Sequence, residues 1–226
     1  MYADSLTLNG GVISKKDSFP NVSIGTLNIT KDVSIDTSIG KAFDWYSFYP
    51  FQQGHIGTVN ANTSTPISGL FSHYLSDVGS GYIRTIDKFV FTNTGCPPAG
   101  ENYGPVKEMY IKSGTTSIPD NAQVTCKRIF LPSSVTYIGA KGLGSYRIKY
   151  SDKEQELEDM DLILKSTTPP TTGGNIVFST NAADWWMEIN KFITLYVPFG
   201  TLSAYKNSPH WKNQPIKEIK EGEPTD

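Results

Sequence analysis

The chain has 226 residues, with 20 Lys and Arg against 22 Asp and Glu, for a net charge of −2 at pH 7. That balance argues against a nucleic-acid partner, which requires a basic face; no run reaches the roughly 20 apolar residues that span a bilayer, and no basic-then-apolar leader opens the chain. With 20 Gly, 14 Pro and 12% aromatic residues, the composition suits a turn-rich β architecture.

In chain order, the first element is Leu6-x-Leu8, with Val12 four positions on. Leu27-x-Ile29 follows after 21 residues and carries Val33 at the same offset. Apolar residues at i and i+2 put both side chains on one face of a strand, so each unit is expected to give two groups to a shared core. The chain opens directly on the first of these strands, LTLNGGV, without an N-terminal cap. That reads as a fragment of a longer protein, or a chain that has lost a leader.

Between residues 43 and 51 the sequence is FDWYSFYPF, too many rings to face inward together on any regular element. Such rings either plug gaps in an irregular repeat or offer flat apolar surface with a polar tip to a sugar or protein partner. Trp45, Tyr46 and Tyr49 are the candidate contacts here, and Trp185 and Trp186 form a second pair.

A ruler runs through the middle of the chain. Phe89-x-Phe91, Met109-x-Ile111 and Ile129-x-Leu131 lie 20 residues apart, as do Ile118 and Ile138. Thr115 and Val135 follow their strands at one offset, as do Thr168 after Leu164 and Thr201 after Val197. A fixed period in this range marks a repeat architecture, each unit burying its apolar face against its neighbours. A β-sandwich also spaces short strands regularly, but gives no reason for the positions after the strands to match. The intervals of about 30 residues around Val59 imply loop insertions.

Catalytic and metal motifs are missing. His55, His73 and His210 belong to no H-E-x-x-H spacing, and neither a nucleophile elbow nor a phosphate-binding glycine loop occurs. The acidic run from Ser151 to Asp161 lacks the pattern of a calcium loop and reads as a solvated excursion. Cys96 and Cys126 are either two buried thiols or one bridge crossing an intervening layer. Asn21, Asn28 and Asn62 head N-x-[ST] sequons, which matter only in a secreted eukaryotic setting.

At the C-terminal end, Pro198 and Gly200 stop a strand, Thr201 is placed to cap a short helix holding Leu202, Ala204 and Tyr205, and Trp211 is placed to cover the open core. The tail from residue 220 to 226 is polar and expected to fray.

FLPSSVTYIGAKGLGS (Phe130 to Ser145) and VSIDTSIGKAFDWYS (Val33 to Ser47) resemble the BspA-like leucine-rich repeat. The matching positions are Pro132, Ser134, Val135, Ile138 and Gly139 in one unit and Ile39, Gly40, Ala42 and Phe43 in the other. LYVPFGTLSAYKNSPHWK (Leu195 to Lys212) resembles the terminal unit of such proteins from gut Bacteroidetes, and the segment from Ser166 to Phe178 resembles the unit before it. The likeness covers roughly residues 106 to 219 and departs from the pattern at Gly142-Leu143, where Ala-Phe is usual.

The resemblance implies a mostly β member of the α/β class: a right-handed leucine-rich-repeat solenoid of parallel strands over residues 1–219, with loops and short helical segments on the convex side and a cap at 195–219. It implies a non-enzymatic, extracellular or cell-surface adhesion protein without cofactor or metal, binding host or neighbouring-cell surface proteins. Two alternatives stay open: a carbohydrate-binding module of a glycan-capture system, carried by the aromatic clusters, and a polysaccharide-active enzyme on a β-helix.

Overall fold

A computed structural model describes residues 2–13, 22–35, 54–63, 84–94, 106–122, 124, 126–144, 146–150, 155–158, 160–174, 177–178 and 193–220. Its strands, in chain order, are β1 (Tyr2–Ile13), β2 (Ser23–Ile35), β3 (Gly54–Ala61), β4 (Arg84–Phe91), β5 (Val106–Tyr110), β6 (Ser117–Ile118), β7 (Arg128–Leu131) and β8 (Tyr137–Ile138). They continue as β9 (Leu143–Gly144), β10 (Tyr146–Tyr150), β11 (Gln155–Glu158), β12 (Met160–Leu164), β13 (Thr171–Thr172), β14 (Val177–Phe178) and β15 (Ile193–Val197); helix α1 (Leu202–Asn207) and β16 (Ile216–Glu218) close the series.

Nine strands form one parallel sheet in the order β1-β2-β3-β4-β5-β7-β12-β15-β16, which is also their order along the chain. The shorter strands repeat that progression elsewhere: β6, β8 and β13 pair in parallel, as do β9 and β14. The exception is the antiparallel hairpin of β10 and β11. Among the described residues from β5 to β14, the chain alternates between a strand of the large sheet and short strands of the smaller ones.

The 20-residue ruler is the register itself. Phe89 lies beside Met109 and Met109 beside Ile129 in the large sheet, while Ile118 pairs with Ile138 in the small one. The looser intervals obey the same alignment, since Leu6, Leu27, Val59 and Phe89 are consecutive partners. All of these except the edge residue Leu6 are fully buried.

On β2 to β5 and ahead of β7, a third core column stands three residues before the first apolar position of the pair, whereas on β12 and β15 the buried Met160 and Ile193 stand two residues before it. Ile24, Ile56, Ile86 and Val106 are buried partners across β2 to β5. The unit is therefore apolar-x-x-apolar-x-apolar, as in IGTLNI, IGTVNA, IDKFVF, VKEMYI and CKRIFL. Cys126 fills this column one period after Val106, fully buried as a free thiol whose pKa burial pushes up. It acts there as a small apolar group; Cys96 lies outside the described residues.

The turns repeat as faithfully as the strands. Thr115, Val135 and Thr201 each donate an N–H to the carbonyl three residues earlier, on Lys112, Pro132 and Pro198. Asn121 and Lys141 adopt the left-handed conformation at φ 57° and 54° one period apart, a local cost that recurs because the same reversal recurs. Gly139 lets neighbouring units approach, for a Cβ there would stand 2.3 Å from the Asp120 nitrogen. The approach leaves room for Asp120 Oδ1 to accept from the Ala140 N–H at 2.8 Å and from the Tyr137 hydroxyl at 3.0 Å.

The C-terminal unit closes the core with two buried ring residues. Trp211 donates through Nε1 to the Pro170 carbonyl at 2.6 Å, and Tyr205 donates its hydroxyl to the Ser166 carbonyl at 2.8 Å. Two details differ from the sequence expectation. The Thr201 hydroxyl turns back to the Pro198 carbonyl and does not cap α1; the Glu218 carboxylate accepts from the Leu202 N–H instead, at 2.9 Å. The sheet also continues beyond Trp211, because β16 pairs with β15 in parallel. Away from the large sheet, the described segments are turns, two-residue strands and the hairpin of β10 and β11, with α1 the one described helix.

Candidate functional site

Side chains alternate across a strand, so the residues between the apolar pairs line the other face of the large sheet. Register assembles them into two rows. The first runs Thr26, Thr58, Lys88, Glu108, Arg128, Asp161 and Thr194. The second runs Asn28, Asn60, Val90, Tyr110, Phe130, Ile163 and Tyr196 along the same partners.

Toward the N-terminal side the face is polar, and Asn60 Nδ2 donates to Asn28 Oδ1 at 2.9 Å. Asn28 is thus held in mid-strand, unlike the loop acceptor that a sequon usually marks. From β4 onward the character changes. Val90, Tyr110, Phe130, Ile163 and Tyr196 make a continuous apolar stripe; Ile163 is buried among them without joining the main core, and the other four stay half-exposed.

In the charged row beside the stripe, Arg128 is paired with both acids. Arg128 reaches Glu108 Oε1 at 3.4 Å through Nη1 and Asp161 Oδ2 at 3.6 Å through Nη2. Tyr110 donates its hydroxyl to Glu108 Oε2 at 3.0 Å. Burial and then this bond to Glu108 push the phenol up to about 12, so Tyr110 stays a donor at neutral pH.

Both faces of the Tyr110 ring are taken. Phe130 stacks on one side at 4.2 Å with the planes 4° apart, and Lys88 Nζ lies 4.3 Å from the ring centroid. Lys217 similarly approaches the Tyr196 ring, at 5.5 Å. At Tyr110 the stripe accordingly offers a ring edge rather than an open aromatic face. Edges of this kind fit the side chains of a polypeptide; stacking on a sugar needs a free face.

No family model, no curated protein and no solved structure matches this chain.

A second polar cluster sits at the start of β3 to β5. Asp87 joins His55 Nε2 and Lys107 Nζ, each at 2.7 Å. The Lys107 bond, followed by His55, holds the Asp87 carboxyl below its ordinary range against a partial offset from burial. No serine, threonine or cysteine hydroxyl or thiol among the described residues is bonded to His55, and the trio is a solvent-facing ion pair. Among the described residues, no group of three or more His, Cys, Asp or Glu is arranged to hold a metal, and no helix is long and apolar enough to cross a membrane.

The sequence-derived candidates Trp45, Tyr46, Tyr49, Trp185 and Trp186 all lie outside the described residues. What the sequence reading missed is the stripe. Its signal was the central letter of each apolar-x-apolar pair: polar in LTL, LNI and VNA, but apolar or aromatic in FVF, MYI, IFL, LIL and LYV.

Proposed function

We propose that this chain is a leucine-rich-repeat solenoid of the BspA-like type, and that it works outside the cell or on its surface as a non-enzymatic binding protein. Its contact surface is the outward face of the large sheet from β4 to β15, and its ligand is another protein. The single observation that carries this reading is the half-exposed stripe Val90, Tyr110, Phe130, Ile163 and Tyr196, flanked by charges that are already paired with one another. Apolar centres rimmed by satisfied polar groups are the anatomy of protein interfaces.

The sequential strand order, the one-to-one register and the recurrent turns support the solenoid. The occupied faces of Tyr110 weigh against a stacking platform for glycans on this stripe. A binding screen of the purified chain against immobilised extracellular-matrix proteins, mucins and soluble polysaccharides tests the proposal. Saturable binding to a protein is expected, with little loss as salt rises, since the rim charges neutralise each other. Saturable polysaccharide binding without protein binding contradicts it.

A further inference from the structure

We infer that the protein molecule bound by this surface is a second copy of the chain, seated face to face about a two-fold axis that runs along the strands between β5 and β7, a proposal that rests on the stripe being a protein-binding surface. The order of charges beside the stripe identifies the occupant. From β4 to β12 the row reads Lys88, Glu108, Arg128 and Asp161, with Thr58 before it and Thr194 after it. The signs alternate, so reversing the row sets every charge against its opposite.

The axis between β5 and β7 performs that reversal. It places Glu108 opposite Arg128 of the second copy, Lys88 opposite Asp161, and Thr58 opposite Thr194. In the stripe it places Tyr110 opposite Phe130 and Val90 opposite Ile163, so apolar meets apolar. Neighbouring placements fail. An axis on β5 or on β7 would set Glu108 or Arg128 against its own copy, and like charges in opposition exclude a docking. An axis between β4 and β5 would leave Arg128 and Asp161 facing Thr58 and Thr26. The interface is isologous, as two-fold dimers require. At its margin Lys107 comes opposite Lys127, but Asp87 holds Lys107 at 2.7 Å and offsets its charge.

A hollow face could not meet its own copy; this one is flat over the units concerned. The chain advances by hydrogen-bonded strands on both sides, β5-β7-β12 in the large sheet and β6-β8-β13 in the small one. Paired strands stand about 4.8 Å apart in either sheet, so neither side is longer and the stack does not bend toward the stripe. Twisted sheets of this kind pack face to face with their strands roughly 30° apart. The contact groups are accessible: Val90, Tyr110 and Phe130 are half-exposed, and the Arg128 and Glu108 side chains are 46% and 36% exposed.

The test uses the whole chain and charge reversal across the axis. Sedimentation at up to about 0.1 mM is expected to give twice the 24.9 kDa chain mass for the unaltered protein. Lys88→Glu and Asp161→Lys, checked for fold by circular dichroism, each set like charges opposite one another and are each expected to raise the dissociation constant at least about tenfold. An equal mixture of the two is expected to restore association as a heterodimer, which no defect inside one chain could produce. Because Asp161 also holds Arg128, the double variant Lys88→Glu/Asp161→Asn is measured as well; removing the opposed carboxylate is expected to recover most of what Lys88→Glu loses. An unaltered chain that stays monomeric, or a dimer that neither reversal weakens, overturns the inference. Phe130→Lys separates this from the reading beneath it. A monomeric chain whose binding to an immobilised matrix protein falls with that substitution loses only the second copy as partner, whereas binding that the substitution leaves unchanged strikes the stripe itself.

Discussion

Tyr110 and Phe130 stand side by side on neighbouring strands with ring centroids 4.2 Å apart and planes 4° from parallel. Their spacing is set by the sheet, which holds adjacent strands about 4.8 Å apart, so the stack follows from two aromatic residues occupying one register position. Replacing each by leucine, singly and together, is expected to give a coupling of about 0.5–1.5 kcal/mol in a double-mutant cycle of urea unfolding. Strict additivity would show that the stack contributes area alone.

Thr115 occupies the place that Val135 takes one period later, buried to 2% with its hydroxyl unpartnered among the described residues. Desolvating an unmade hydrogen bond costs about 1–3 kcal/mol. Thr115→Val is therefore expected to stabilise the chain by about 1 kcal/mol, read as a raised urea midpoint with an unchanged slope. A lowered midpoint would show that the hydroxyl is satisfied after all.

Trp211 and Tyr205 join the cap to the preceding unit through the carbonyls of Pro170 and Ser166. Trp211→Phe keeps much of the ring but strands a buried carbonyl, at a cost of about 1–2 kcal/mol; Tyr205→Phe should cost about 1 kcal/mol by the same reasoning. Because the cap covers the core, Trp211→Ala is expected to cost more, about 3–5 kcal/mol. Thermal midpoints ordered in that series are the expected result; equal midpoints would mean that the cap melts independently of the core.

Asp87 gives the chain a modest acid dependence. Its carboxyl is held below the ordinary 3.8 by Lys107 and His55, so the folded state prefers the ionised form more than the unfolded chain does. The stabilisation is complete above pH about 4 and is lost as the pH falls through the lowered folded value. With the carboxylate 40% exposed, solvent limits the effect to a few tenths of a kcal/mol. Asp87→Asn is expected to flatten the fall of the urea midpoint between pH 5 and 3; an unchanged slope would assign the acid dependence to other carboxylates.

Much of this arrangement was legible in the chain. Phe89, Met109 and Ile129 could be aligned by period because parallel strands one unit apart repeat every requirement of the core, from Ile118 and Ile138 to the turn-closing Thr115 and Val135. The column of Ile24, Ile56, Ile86, Val106 and Cys126 was harder to see, since two residues separate it from the next apolar position and simple alternation fails there. The stripe from Val90 to Tyr196 escaped for a different reason. Aromatic clusters in sequence, such as the one around Trp45, attract notice, whereas Tyr110 and Phe130 are 20 residues apart and meet only through register. Thr201 illustrates a third limit: its hydroxyl had two acceptable uses, and the distant Glu218 decided between them.

The central claim is that the stripe binds a protein, and one comparison tests it most directly. Surface binding of the unaltered chain to its best protein ligand is measured beside Phe130→Lys and a control at the exposed turn residue Lys112, Lys112→Ser, with thermal midpoints recorded for all three. Phe130→Lys, which puts a charge in the centre of the stripe, is expected to weaken binding at least about tenfold while the control binds normally, as truncating a central anchor does. Equal binding by Phe130→Lys and the unaltered chain, at equal midpoints, would contradict the account.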